Sequence, residues 1–213
     1  RANINKYKNN FKFIHVSTDE VYGDLGQDGF FDENSSYKPN SPYSASKAAA
    51  DMFVLAFART YGTKYILLRP TNNYGIGQYH EKLIPASVRC LLRGKKVKLH
   101  DEGKPIRNWL HASDTANAVV KIIESEVSNE IYNVAGNFEQ QNSETFKKIV
   151  ECFFQQEDVD WKKYADLEYK RPGQDVRYAL NDEKLKGLGW APVMSFDEEI
   201  SSIVDYYMKN FRW

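Results

Sequence analysis

Short apolar runs alternate along the chain with longer amphipathic stretches, and most runs end in polar or turn-forming residues. Phe13, Ile14 and Val16 make the first run, with the β-forming character of a strand buried on both faces of a parallel sheet. Ser17 to Glu20 then fall at its C-terminal end. Ser41 and Pro42 mark a helix start, as N-cap and first-turn proline. The following ASKAAADMFVLAFART is rich in helix formers, so a helix is predicted from Pro42 to about Tyr61, stopped by Gly62. TKYILLRP reads as the next buried strand, ended by Pro70, and Leu83 to Leu92 as a helix. KKVKLHDEGKPIRNWLHASD reads as a hairpin-like strand pair turning at Asp101 to Lys104, with a helix from Ser113. EIYNVAG is a further short strand. NSETFKKIVECFF opens on an imperfect capping box, Ser143 with Phe146, and Glu144 in the first turn. The chain closes with a short helix, a turn and an amphipathic helix that sets Ile200, Ile203, Val204 and Tyr207 on one core-facing side. The pattern is α/β. It contains no internal repeat.

In open parallel sheets the ligand crevice lies outside the C-terminal strand ends. Thr18, Asp19 and Glu20 are therefore candidates for chemistry rather than packing. Gly23 to Asn40, rich in Gly, Asp, Asn, Ser and Lys, reads as the surface loop from that strand end to the helix at Pro42. Tyr43 and Lys47 open the helix and share one face, so the ammonium is expected near the phenol, lowering a pKa that is about 10 when unperturbed. A tyrosine tuned in this way can act as a base near neutrality. Thr71, Asn72 and Asn73 follow the second strand; asparagine suits a sugar hydroxyl or carboxamide, and equally suits a turn. Lys82 stands at a helix start. Arg107, beside Trp109, is either a surface ion-pair partner or a bidentate phosphate ligand.

Composition narrows the partners. The 213 residues are 42% hydrophobic, enough for a real core, and 29 Lys and Arg balance 29 Asp and Glu. No global basic field argues for nucleic acid. No apolar run approaches the about 20 residues of a membrane span, and Arg1 to Asn10 is too polar for a secretory signal. A cytoplasmic protein without a membrane partner is expected. Cys90 and Cys152 lack metal-type spacing, so they read as buried free thiols, and no metal site is expected.

STDEVYG together with PYSASKAAAD resembles the extended short-chain dehydrogenase/reductases, and within them the nucleotide-sugar 4,6-dehydratases. Adjacent Asp and Glu after Thr18 mark the dehydratase branch. The later segments RPTNNYGIGQYHEKLIP, IRNWLHASDTANAV, EIYNVAGNFEQQNSE and RPGQDVRYALNDEKLKGLGW follow the family in order, so the resemblance covers nearly the whole chain. It implies a Rossmann-like fold with a smaller mixed α/β substrate domain, divided as residues 1–75 and 76–213, some later segments returning to the first. The family carries a glycine-rich dinucleotide fingerprint ahead of the strand that corresponds to Phe13–Val16, and none precedes it here. The chain is accordingly read as a C-terminal piece, lacking the first strands of a protein roughly a third longer.

The resemblance implies NAD as cofactor, with Tyr43, Lys47 and Asn73 at its nicotinamide. It implies a nucleotide-sugar substrate meeting Thr18, Asn72, Lys82, Leu83, Arg107, Asn142, Arg171 and Gln174. The reaction is expected to convert dTDP-glucose to dTDP-4-keto-6-deoxyglucose. Tyr43 takes the C4 hydroxyl proton while hydride passes to NAD; Glu20 removes the C5 proton, Asp19 protonates the departing C6 hydroxyl, and hydride returns to C6. Thr18 bonds the C4 oxygen. His80 replaces a usual Pro and His100 a usual aromatic near the base, which leaves UDP open beside dTDP. An epimerase or decarboxylase of the same superfamily, and a non-catalytic nucleotide-sugar-binding fragment, are the alternatives. The helix bearing Tyr43 also resembles the family's homodimer interface.

Overall fold

The computed structural model describes residues 11–26, 28–170 and 175–210. In chain order its principal elements begin with β1 (Phe13–Val16), α1 (Pro42–Tyr61), β2 (Tyr65–Pro70), β3 (Asn72–Tyr74), α2 (Leu83–Leu92), β4 (Val97–Lys98) and β5 (Ile106–His111). They continue with α3 (Ala112–Glu124), β6 (Glu130–Val134), β7 (Glu139–Gln141), α4 (Asn142–Phe154), β8 (Ala165–Asp166), α5 (Glu183–Lys186) and α6 (Phe196–Asn210). The chain divides into two compact units. The first comprises Arg1–Thr71, Thr115–Ala135 and Tyr178–Ala191, the second Asn72–Asp114, Gly136–Arg177 and Pro192–Trp213.

The first unit is built on a parallel sheet in the order β1-β2-β6. Ile66, Leu67 and Leu68 of β2 are fully buried, as a continuous apolar run in a parallel strand requires. β1 departs from expectation. It pairs only with β2 among the described residues, and Phe13 and Val16 are exposed rather than buried. The bounds of α1 follow its caps. Ser44 N–H donates to Ser41 Oγ at 3.0 Å and Ser41 N–H to Ser44 Oγ at 3.0 Å, while Gly62 takes the left-handed conformation at φ 66° that stops the helix.

The second unit has its own core. Tyr74, Ile84, Val88, Trp109, Phe146 and Phe196 are buried together with Ile200, Ile203, Val204 and Tyr207, the face of α6 anticipated from its periodicity. Its main sheet runs β3-β5-β7, with β3 parallel and β7 antiparallel to β5. The hairpin expected around Asp101–Lys104 does not form. β4 pairs with β8 and β5 with β3 and β7, so the two strands belong to different sheets, joined by a 3₁₀ turn with Asp101 and Glu102 in the left-handed region. Asn72 and Asn73, which had suited a turn, lie in β3 instead. The start of α4 also differs: Glu144 accepts from Gln141 N–H at 3.1 Å, so this pair caps the helix in place of Ser143 with Phe146. Cys90 and Cys152 are free and half-buried.

Among the described glycines of this unit, Gly136 meets a neighbouring backbone most closely. A Cβ there would lie 1.7 Å from the Trp109 carbonyl oxygen, and its N–H donates to Asn108 Oδ1 at 3.1 Å.

Candidate active site

Chemistry-bearing residues gather at the C-terminal end of β1. The strand stops at Val16, and Asp19–Tyr22 forms a single 3₁₀ turn with Thr18 as its N-cap. Thr18 Oγ1 donates to Asp19 Oδ1 at 3.0 Å and accepts from Glu20 N–H at 3.3 Å. Thr18 and Asp19 are buried, whereas Glu20 is half-buried. Gly23 closes the turn at φ 87°, where any Cβ would meet the Lys38 carbonyl oxygen at 2.3 Å, so glycine is required.

The first turn of α1 brings Tyr43 to this cluster. Its phenol shares a hydrogen bond with the Thr18 side chain and feels the charges of Glu20 and Asp19. The pKa is pushed above its ordinary value, chiefly by burial and then by those two carboxylates, against the opposing Thr18 bond. This corrects the expectation that Lys47 lowers it. Lys47 does lie one helical turn from Tyr43, but its flexible stem carries the ammonium to the end of β1, where Nζ donates to the Val16 carbonyl at 2.8 Å. The structure thus assembles Thr18, Asp19, Glu20 and Tyr43 into one site, with Lys47 anchoring the helix to the strand.

A buried polar cluster lies under this site and was not anticipated from sequence. Arg69 of β2 is fully buried, as is Asp51 of α1; Nε donates to Asp51 Oδ2 at 3.2 Å and Nη1 to the Tyr22 hydroxyl at 2.6 Å. Nη2 donates to the Tyr37 hydroxyl, which in turn donates to Asp51 Oδ2 at 3.2 Å. Burial pushes the Tyr22 phenol up to about 12 despite the guanidinium beside it. The available signal was an arginine inside an apolar strand and an aspartate on the Tyr43 and Lys47 stripe of α1.

The remaining candidates belong to the second unit. Arg107 is buried; Nη1 donates to the Ile106 carbonyl at 2.7 Å and Nη2 to that of Asp175 at 3.2 Å. Asn142 opens α4 nearby, its N–H donating to the Pro105 carbonyl at 3.0 Å. The structure therefore brings Arg107 and Asn142 to one edge of the β5–β7 pair. Arg177, two residues after Asp175, is ion-paired with Glu139 at 2.9 Å. Asn72 and Asn73 are half-buried in β3, and the Asn73 carbonyl accepts from Gln78 Nε2 at 2.7 Å. Lys82 is exposed as the N-cap residue of α2 and Leu83 is its half-buried first residue. Arg171 and Gln174 lie outside the described residues.

Gly23, Gly26 and Gly29 carry the literal spacing of a dinucleotide fingerprint. They occupy a loop, however, and the next helix begins only at Pro42. A pyrophosphate cradle needs glycines in a tight strand-to-helix turn, so these glycines do not form one. Among the described residues no group of His, Cys, Asp and Glu could hold a metal, and no helix is long and apolar enough to cross a membrane.

A family model described as GDP-mannose 4,6 dehydratase matches residues 1–203. The dTDP-glucose 4,6-dehydratase of Xanthomonas campestris is 42% identical over 208 residues, covering 95% of this chain and 59% of the relative. The chain thus spans about 60% of the length of the curated relatives it matches. The crystal structure of dTDP-glucose 4,6-dehydratase from Bacillus anthracis in complex with NAD is similar at a TM-score of 0.87 and 40% identity, covering 100% of this chain and 66% of that one. The Streptomyces venezuelae dTDP-glucose 4,6-dehydratase with NAD and TYD bound gives 0.86 and 36%, covering 93% and 60%. On the family match, and with a parallel-sheet α/β architecture that these Rossmann-like structures share, the chain belongs to the GDP-mannose 4,6 dehydratase family.

Proposed function

We propose that this chain carries the acid–base and nucleotide-sugar-binding residues of an NAD-dependent dTDP-glucose 4,6-dehydratase. The observation that carries the reading is the Asp19–Glu20 pair beside the Tyr43 phenol. Epimerisation at C4 needs no elimination and hence no such pair, whereas loss of water across C5 and C6 needs both an acid and a base.

Tyr43, Lys47 and Asn73 are the residues that would hold the nicotinamide end of NAD, and the half-exposed phenol at the strand end fits that placement. When bound, NAD supplies a hydride acceptor at C4 and a donor at C6. Tyr43 takes the proton from the C4 hydroxyl, with Thr18 bonding the same oxygen. The resulting ketone acidifies C5–H, Glu20 removes that proton, and Asp19 protonates the leaving C6 hydroxyl. The electrostatics link these roles. Asp19 and Glu20 both hold the Tyr43 proton on, so protonating Asp19, as the elimination requires, removes one of the charges opposing the phenolate.

Arg107 and Asn142 are assigned to the nucleotide diphosphate, together with Asn72, Lys82, Leu83, Arg171 and Gln174 from the family pattern. The domain assignment follows the same reading: the unit bearing Tyr43 serves the cofactor and the unit bearing Arg107 the nucleotide sugar. A homodimer through α1 is part of the proposal. Met52, Phe53, Phe57 and Tyr61 of that helix are exposed, and a second copy would cover them.

The test uses the full-length protein with NAD and either dTDP-glucose or UDP-glucose, since His100 stands where the family has an aromatic. Formation of a 4-keto-6-deoxy sugar supports the reading, and dTDP-glucose is expected to be the better substrate. A C4-epimerised sugar with the C6 hydroxyl intact would overturn it in favour of an epimerase.

A further inference from the structure

Arg69 touches neither of the groups assigned to chemistry, yet it joins the two elements that carry them. One guanidinium edge holds Tyr22, the last residue of the turn that begins with Asp19 and Glu20. Its Nε holds Asp51, which follows Tyr43 and Lys47 by two and one helical turns on the same stripe of α1. The rings of Tyr22 and Tyr37 also lie over the guanidinium carbon, at 4.7 and 4.6 Å. Tyr22 is tied in turn to β6, its hydroxyl donating to Asn133 Oδ1 at 2.9 Å. The Asn133 N–H donates to Glu33 of the intervening loop at 3.0 Å.

A buried cation is costly to desolvate, and replacing such a network with apolar residues is often neutral or stabilising. Stability alone therefore does not account for a charged residue in the middle of a buried strand. The planar fork differs from any apolar filling in one respect: it fixes the direction of each partner. Here those partners lead directly to the turn with Asp19 and Glu20 and to the helix with Tyr43.

We propose that Arg69 is a positioning residue that sets the register between the Asp19–Glu20 turn and the Tyr43 helix, so that oxidation at C4 and elimination across C5 and C6 occur in one substrate pose. This rests on the dehydratase reading above. The link to the turn runs through the Tyr22 hydroxyl and the link to the helix through Asp51, so the two halves of the reaction can be uncoupled separately.

The experiment compares wild-type, Arg69→Lys and Tyr22→Phe full-length proteins in steady state and in single turnover with reduced cofactor followed by absorbance. Hydrogen exchange of the peptide over residues 17–23 is measured in parallel. Wild-type protein that turns over neither dTDP-glucose nor UDP-glucose would overturn the function proposed above, whereas the exchange measurement would still show whether Arg69 orders the Asp19–Tyr22 turn. Arg69→Lys keeps the charge but loses the fork, and a displacement of order 1 Å is expected to lower kcat about a hundredfold with KM changed by less than about threefold. Tyr22→Phe frees the turn from both Arg69 and Asn133 and keeps the Arg69–Asp51 link to the helix. It is expected to leave C4 oxidation within about threefold of wild type while slowing elimination about tenfold or more, so that reduced cofactor accumulates. Residues 17–23 are expected to exchange about tenfold faster or more in both variants. If Arg69→Lys does not fold, Tyr22→Phe decides alone. Equal slowing of oxidation and elimination in Tyr22→Phe, an effect on KM alone, or unchanged exchange over residues 17–23 would overturn the proposal.

Discussion

Replacing Asp51 by Asn tests the buried cluster by removing one charge and almost no volume. Asp51 and Arg69 both have side chains with no solvent exposure, and their N···O separation is 3.2 Å. Asp51 Oδ1 also lies 3.4 Å from His15 Nε2, so the carboxylate touches β1 as well as β2. An Asn side chain can still accept from Nε, but it leaves the guanidinium charge buried against a neutral amide. Breaking a buried pair in this way costs about 3–5 kcal/mol, a large part of the about 5–15 kcal/mol by which folded proteins exceed their unfolded states. Expressed as opening equilibria, that is roughly a hundred- to several-thousand-fold. The assay is native-state hydrogen exchange resolved to α1 and β2, with Asp51→Leu combined with Arg69→Met as the apolar replacement of the pair. Protection over α1 and β2 should fall by the stated factor in Asp51→Asn and by less in the double variant. A loss under about tenfold, or a double variant as damaged as the single one, would refute the reasoning.

Three further outcomes are expected. Tyr43→Phe should abolish C4 oxidation while leaving substrate binding within a few-fold, read by single-turnover reduction of the cofactor and by equilibrium titration. The folded Tyr22 phenol keeps its proton up to about 12 whereas the unfolded group releases it near 10.0, so stability should fall as pH rises through that interval, by about 3 kcal/mol in all. Urea midpoints across the interval measure this, and Tyr22→Phe should flatten the slope. Gly136→Ala should destabilise the protein by about 3 kcal/mol, the upper end for overpacking, because the new methyl would lie 1.7 Å from the Trp109 carbonyl oxygen; thermal unfolding detects it.

Sequence revealed features whose causes are local. α1 was legible at both ends because Ser41, Pro42 and Gly62 each act on adjacent backbone groups, and the core face of α6 because its period is that of a helix. The β4 and β5 strands were misassigned as a hairpin because their true partners, β8, β3 and β7, lie far along the chain, and only tertiary pairing reveals them. Within the site, Thr18, Asp19, Glu20 and Tyr43 were recognisable from residue type and strand-end position. The Lys47 ammonium was not, since helix spacing fixes Cβ and leaves a four-carbon stem free to reach Val16. Arg69 escaped notice for a related reason. Its value lies in partners from the 3₁₀ turn, the loop and the helix that no sequence spacing connects.

The most direct test of the dehydratase account follows the hydride itself. The full-length protein is given dTDP-glucose carrying deuterium at C4, with NAD, and the product is examined by NMR and mass spectrometry. The account predicts a 4-keto-6-deoxy sugar with the deuterium moved to C6 and a solvent-derived hydrogen at C5. Deuterium retained at C4 of a sugar that keeps its C6 hydroxyl would contradict it.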